Sequence, residues 1–529
     1  MSSANVLFVE TPEAGRVPLR QVAIRLHPTD HVVVAKTPLP PGMSLVLEDD
    51  SVVTVRQLVP SGHKLAVTSV ASGEPIRRYG QIIGFATQTI SAGEHVHSHN
   101  LSVADFARDY AFSADVQPVD YVPVGARRTF QGYLRADGRV GTRNLIAVIA
   151  SVNCSAHTCR EIARAFSDEM LAAYPNVDGV IALSHLSGCA NRIGGDDYVL
   201  LQRTLAGMAT HVNIGGYIIV GLGCETNQVG DLIQNYALQS GVSVEPPPNL
   251  NIQDAGGIRK TINAGVAAIH ELLPEVNQTT RTPQPISELV VGLQCGGSDG
   301  WSGVTANPVL GLVSDELVRQ GGTAVLAETP EIYGAEHLLT RRAVNESVGQ
   351  KLVDKIHWWE AHTRLHNIEI DNNPSVGNKA GGLTTIYEKS LGAVAKGGST
   401  PLTGVYDYAE RVTARGFTFM DSPGYDPVSV TGQVAGGCNL VVFTSGRGSV
   451  FGFKPAPSIK VATNSAMYER MEDDMDLNAG RVVDGVPMAD VAAELLDLMV
   501  AVASGQPSKS EAQGVGEAEF NPWNLGGTL

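Results

Sequence analysis

Four short runs limit what this chain can fold into: NLIAVIASV (144–152), GVIALSHL (179–186), GYIIVGLG (216–223) and ELVVGLQC (288–295). Each is apolar on both faces and rich in Val and Ile. Between them lie longer segments of helical character, such as HTCREIARAFSDEMLAAY (157–174) and GGIRKTINAGVAAIHELL (256–273). Strands buried on both faces and separated by helices make a parallel sheet, because an antiparallel sheet with one wet face alternates apolar and polar residues. A second α/β region is expected further on, with TAVLAE, NLVVFTS and SIKVATN as strands. The 529 residues exceed one domain, and 43% hydrophobic against 17% charged residues supply large cores.

The amino-terminal part has a different rhythm. From Arg20 to Leu101 short β-rich pieces follow one another at turn-punctuated intervals, the pattern of a small all-β module. Residues 102–128 are polar, with Pro118 and Pro123, and read as a linker. The expected division is an extension at 1–18, a β module at 19–101, the linker at 102–128, and α/β domains at 129–282 and 283–529, the polar NQTTRTPQPIS (277–287) joining the last two. The expected class is therefore α/β, a small β-rich module preceding a large body with parallel sheets.

A net charge of −16 argues against nucleic acid or an anionic membrane as partner. No apolar run is long enough to cross a bilayer, and the start lacks a secretory signal, so a cytoplasmic location is expected; a homo-oligomer is expected as a separate matter. The six cysteines lie far apart, which does not suit a disulfide framework.

Chemistry concentrates in loops that follow apolar runs: HLSGCANR, GLGCETNQ, LQCGGSDGWSG and FTSGRGSVFG. Ligands of open parallel sheets bind beyond the carboxyl ends of the strands. The β module carries AGEHVHSHN (92–100), where His95, His97 and His99 alternate and would share one face of an extended strand. SGHKLAV adds the catalytic candidates His63, as acid or base, and Lys64, as a base if desolvated, with Tyr79 a further candidate acid. Arg139, Arg143, Asn144, Asp299, Lys379 and Arg447 are candidates for binding a carboxylate or polyol.

Several long motifs occur in a fixed order: SGHKLAV, RRYGQIIGFAT, AGEHVHSHN, FQGYLRADGRVGTRN, VNCS, LQCGGSDGWSGVTANP, GNKAGGLTTIYEKSLG and FTSGRGSVFG. From about Gln21 to Leu529 the chain resembles the altronate/galactarate dehydratase family, its β module resembling that family's SAF-type domain, and the HVHSHN ending is closer to the altronate branch. The resemblance implies loss of water from a sugar acid to give a 2-keto-3-deoxy acid, with Fe²⁺ or Mn²⁺ as cofactor. Such a reaction needs a metal for the carboxylate, a base for the C2 proton and an acid for the leaving C3 hydroxyl. His97 and His99 are favoured as metal ligands because they lie in the best-matching segment, with His27 of RLHPTD beside them; imidazole suits iron better than magnesium. An alternative is an iron–sulfur cluster on Cys189, Cys224 and Cys295. Alternative activities are galactarate dehydration, a lyase reaction on a related hydroxy acid such as sulfolactate, and a non-enzymatic sugar-acid sensor.

Overall fold

The computed structural model describes residues 16–239 and 246–529. The chain forms two compact units. One comprises the chain up to Phe106 together with Pro374–Lys389, the other Ala107–Asn373 with Ser390–Leu529.

The first unit is built from short strands around a core that includes Val33, Ala35, Leu39, Leu45, Val59 and Leu65, all essentially inaccessible. Its central sheet runs in the order Ala23–Ile24, Val32–Ala35, Lys64–Ala66, His95–Val96, with antiparallel pairing throughout. Lys64 lies opposite Val96 and Leu65 opposite His95, so two sequence-distant motifs share one edge. Gly93 is required in the turn before His95. Its φ is +88°, and a Cβ there would sit 2.0 Å from the Thr54 carbonyl oxygen. Residues 1–15 of the expected extension lie outside the described residues. Arg16–Pro18 is no extension: it forms a strand parallel to Ser44–Val46.

The second unit holds two parallel sheets. The smaller has the order Gly179–Leu183, Leu145–Ala150, Ile214–Gly221, Asn249–Asn251. Every residue of Leu145–Ala150 is buried, as its unbroken apolar sequence requires. Ile146 and Val148 pack with Cys159, Ile162 and Ile269, while Ala147 and Ile149 pack in the cluster holding Leu201 and Leu205. Each such fully buried aliphatic side chain stabilises by about 1.5–3 kcal/mol. The larger sheet has seven strands, in the order Leu402–Tyr406, Gly416–Met420, Thr323–Ala327, Val290–Cys295, Leu440–Ser445, Ser458–Ala462, Leu477–Asn478. All of its pairs are parallel.

Both sheets reverse direction partway. In the small sheet the chain leaves Leu145–Ala150 to one side and returns to the other at Ile214–Gly221; in the large one it does so around Val290–Cys295, returning at Leu440–Ser445. Such reversals open a crevice at the carboxyl ends of the two strands involved.

Two connecting segments differ from their sequence reading. The expected joint at 277–287 contains the strand Arg281–Pro285, antiparallel to Thr129–Leu134. It is an edge strand, where prolines lacking an N–H are tolerated. The expected linker is not loose from Ala107 on. Arg108 pairs with Glu336, Ser113 donates to the Ala343 carbonyl, Arg341 grips Asp109 and Asp115, and the Val122 amide donates to the Arg319 carbonyl. Among the described residues no helix is long and apolar enough to cross a membrane.

Candidate functional site

In the first unit the strand carrying His95 ends at Val96, and His97–Asn100 form a turn closed by the Asn100 amide on the His97 carbonyl. The Asn100 side chain fixes this turn, accepting from the His97 amide at 2.9 Å and donating to the His95 carbonyl at 3.0 Å. The three histidines therefore do not share a strand face, as alternation had suggested. The turn still gathers them. Ring centroids lie 5.4 Å apart for His95 and His97 and 5.6 Å for His95 and His99, and His63 joins at 5.2 Å from His95 and 5.1 Å from His97.

The closest approach is His63 Nδ1 to His95 Nε2, 3.1 Å. His63 Nε2 faces the Ala380 carbonyl at 3.4 Å, which leaves its Nδ1 lone pair towards His95. His97 is engaged at both nitrogens, donating from Nε2 to the Lys379 carbonyl at 2.9 Å and meeting Ser98 Oγ at Nδ1. Burial, then the charge of neighbouring His97 and Lys64, lowers the His63 pKa to about 4. Burial, then His63 and His97, takes His95 to about 3, and burial also lowers His97. These rings are neutral near pH 7, the state a metal ligand or general base requires. His27 lies elsewhere in the unit, its ring against Gly80 and hydrogen-bonded to Thr29.

Beneath the histidines lies a fully buried ion triad. Lys64 donates to Glu388 at 2.9 Å and to the Gly382 carbonyl at 2.6 Å; Arg78 donates to the other Glu388 oxygen at 2.5 Å. Burial pulls the Lys64 ammonium down to about 8, partly offset by Glu388. With both acceptors on protein atoms and no exposed surface, Lys64 anchors the start of the strand that His63 immediately precedes. Tyr79 has φ +59° and lies under the Arg78 guanidinium, 4.6 Å from ring centroid to Cζ.

In the second unit the carboxyl ends of Val290–Cys295 and its neighbour Thr323–Ala327 bring Cys295, Glu328 and Glu331 together. One donor atom from each lies within 4.8 Å of the others. Lys396 donates to Cys295 Sγ at 2.9 Å and lies 3.8 Å from Glu328, and all four side chains are buried. Burial opposes the Lys396 charge, but Cys295, Glu328 and Glu331 outweigh it and raise its pKa. Glu328 has φ +73°, an uncommon backbone conformation for a residue with a side chain. Asp299 ties together two loops at this end of the sheet, accepting from the Trp301 amide and Ser302 of its own loop and from Thr463 and Asn464 of the other. Arg447 is exposed beyond Leu440–Ser445, its amide donating to the Gly297 carbonyl.

Three expected substrate ligands lie at the opposite, amino ends of the small sheet. Arg139 pairs with Asp137 and the Thr210 carbonyl. Arg143 grips Glu511 through two bonds of 2.8 Å and reaches the Thr142, Val502 and Gln506 carbonyls. Asn144 bridges Asp178, Asn176 and Val276. Their polar groups hold the fold. Arg143→Met is accordingly expected to lower stability by about 3–5 kcal/mol, by stranding a partly buried carboxylate, while leaving substrate KM unchanged; urea titration and steady-state kinetics check both. Lys379 is in the first unit and contributes its carbonyl to His97. Cys189 and Cys224 are exposed on loops of the small sheet, whereas Cys295 is buried at the large one.

Sequence reasoning did not single out Glu388, Arg78, Glu328, Glu331 or Lys396, and it ranked His95 below its neighbours. Glu388 was within a quoted motif and Glu328 closes TAVLAE, so both were visible as carboxylates in positions that chemistry favours.

The β module and the two parallel-sheet regions each coincide with a separate family match. Residues 21–104 match the altronate/galactarate dehydratase SAF domain, 132–277 the second domain of D-galactarate dehydratase/altronate hydrolase, and 286–528 the C-terminal domain of D-galactarate/altronate dehydratase. The chain is 37% identical over 490 residues to an altronate dehydratase of Escherichia coli (strain K12), covering 92% of this chain and 96% of the relative. An altronate dehydratase of Bacillus subtilis (strain 168) is 37% identical over 491 residues, 91% of this chain and 95% of its own. A galactarate dehydratase (L-threo-forming) of Escherichia coli (strain K12) is 35% identical over 514 residues, 94% and 96% of the two chains. The chain belongs to the altronate/galactarate dehydratase family.

Proposed function

We propose that this protein is a hydro-lyase that removes water from an aldonate of the D-altronate type, giving a 2-keto-3-deoxy acid. The observation that carries this reading is similarity to altronate dehydratases over 91–92% of this chain, together with the match of its β module to the family's SAF domain.

The cofactor is a divalent transition ion, Fe²⁺ before Mn²⁺, held by His63 and His95 with exposed His99 as a third ligand. Two imidazole nitrogens 3.1 Å apart on neutral rings suit one such ion. Bound there, the ion supplies positive charge to the carboxylate beside the carbon that loses its proton. His97 is the base. Its Nε2–H is fixed on the Lys379 carbonyl, so the lone pair is on Nδ1, where it takes the C2 proton once substrate displaces the Ser98 hydroxyl. The imidazolium so formed protonates the departing C3 hydroxyl. Lys64, Arg78 and Glu388 hold these rings in place.

A second metal reading rests on one observation, the convergence of Cys295, Glu328 and Glu331. The buried Lys396 ammonium offsets part of the negative charge there and already occupies Cys295 Sγ, so it competes with a further cation.

The test is a panel of aldonic and aldaric acids, assayed anaerobically with iron and read by product mass. D-Altronate is expected to give the highest kcat/KM. Galactarate ranking first would move the substrate to an aldarate, sulfite release from sulfolactate would replace the reaction class, and binding without turnover of any acid would make the protein a sensor.

A further inference from the structure

Three of the six cysteines are exposed, Cys154, Cys189 and Cys224, and all three sit at the same end of the small parallel sheet. Cys154 follows Leu145–Ala150, Cys189 follows Gly179–Leu183 and Cys224 follows Ile214–Gly221, three neighbouring strands. The reversal point of this sheet lies between the strands that lead to Cys154 and Cys224, where an open α/β sheet receives a ligand.

The loops bearing the thiols are bound to one another beside each cysteine. The Asn153 amide, next to Cys154, donates to the Ser187 carbonyl at 2.9 Å. The Asn227 amide donates to the carbonyl of Gly188, next to Cys189, at 3.0 Å, and its side chain donates to the Ser151 carbonyl at 2.9 Å. Glu225, next to Cys224, accepts from Ser151 Oγ at 2.9 Å. Gly188 has φ +97°, and a Cβ there would lie 2.4 Å from the Ser151 carbonyl oxygen, so this loop is pressed onto its neighbour. Ala190, directly after Cys189, has φ +61°. A strained non-glycine residue persists where the surroundings fix it, and such residues gather at binding sites.

The spacing argues for the kind of group held. Adjacent strands are about 4.8 Å apart, so loops from three of them approach a centre from points spread over about 10 Å. The three thiols are not among the donor groups drawn within 4.8 Å of one another. That spread suits thiolates that each hold a different iron of one cluster better than thiolates that share a single ion.

We propose that Cys154, Cys189 and Cys224 hold a four-iron, four-sulfide cluster, leaving one iron open to an oxygen ligand. The three thiols lose their protons and form three iron–sulfur bonds. Loading from ferric iron and sulfide consumes two electrons per cluster, supplied by a dithiol such as dithiothreitol, which closes to its disulfide. The site is independent of the histidine centre and does not rest on the dehydratase reading.

The experiment is iron and acid-labile sulfide analysis of the full chain, purified anaerobically and again after loading with ferric chloride, sulfide and dithiothreitol. About four irons and four sulfides beyond any histidine-bound iron are expected, with visible thiolate-to-iron absorption. The triple variant Cys154→Ser/Cys189→Ser/Cys224→Ser is expected to lose the sulfide and the absorption, and Cys438→Ala to keep both. Because exposed positions tolerate substitution, each single serine variant provides a folded check, and each is expected to lower cluster content. Iodoacetamide on the native protein gives a second readout, since the three thiols should react in the cluster-free chain and resist when loaded. Absence of sulfide after loading, zinc in place of iron, or full sulfide in the triple variant overturns the proposal.

Discussion

Glu388→Gln is expected to destabilise the protein by about 3–5 kcal/mol. One carboxylate, itself fully buried, serves two buried cations, Lys64 and Arg78. The amide keeps the volume but removes the charge, and both cations lose the carboxylate they share. Burial alone would raise the Glu388 pKa; Lys64, then Arg78, outweigh it and hold the carboxyl at about 2 against an ordinary 4.5. A depressed acid pKa means that the contribution is fully present above about pH 4.5 and is lost as pH falls towards 2. Wild-type stability should therefore fall across that window, and the fall should be shallower in the variant. Urea midpoints from pH 2 to 7 measure both. Equal midpoints at pH 7 would remove the triad as an anchor of the histidine centre.

His95→Ala is expected to lower bound iron and kcat/KM together, by about 100-fold or more in kcat/KM. His95 provides the nitrogen that faces His63, and its ring is central to the cluster, within 5.6 Å of His63, His97 and His99 by centroid. His27→Ala, in a ring held by Thr29 away from that cluster, should leave both quantities near wild type. Metal analysis alongside steady-state kinetics separates this assignment from the acidic pocket. Iron that stays on His95→Ala but leaves Glu331→Gln would move the cofactor to Cys295, Glu328 and Glu331.

The parallel sheets were legible because strands such as Leu145–Ala150 are buried on both faces, and burial on both faces writes itself as an unbroken apolar run. The histidine cluster was legible as a concentration of imidazoles, but not its geometry. Alternation assumes an extended strand, and Asn100 ends the strand after Val96 by capping the turn. Glu388 was out of reach for a different reason. Pro374–Lys389 joins the first unit from some 300 residues downstream of its partners, and no local periodicity records a contact of that range. Arg143 and Asn144 illustrate the ambiguity of polar residues beside a strand: the same guanidinium and side-chain amide that would bind a polyol here bind Glu511 and the Asn176 and Val276 carbonyls. Pro283 and Pro285 read as a joint because proline signals non-helical chain, and an edge strand is a second solution to the same constraint.

The most direct test of the central claim is turnover of D-altronate by the iron-loaded enzyme in D₂O, with the product examined by mass and NMR. Base removal of the C2 proton and loss of the C3 hydroxyl leave an enol, which becomes the ketone by taking a proton at C3. The account predicts a 2-keto-3-deoxy acid carrying one solvent deuterium at C3. A product that keeps the original C2 hydrogen in full at C3, or no 2-keto-3-deoxy acid at all, would contradict it.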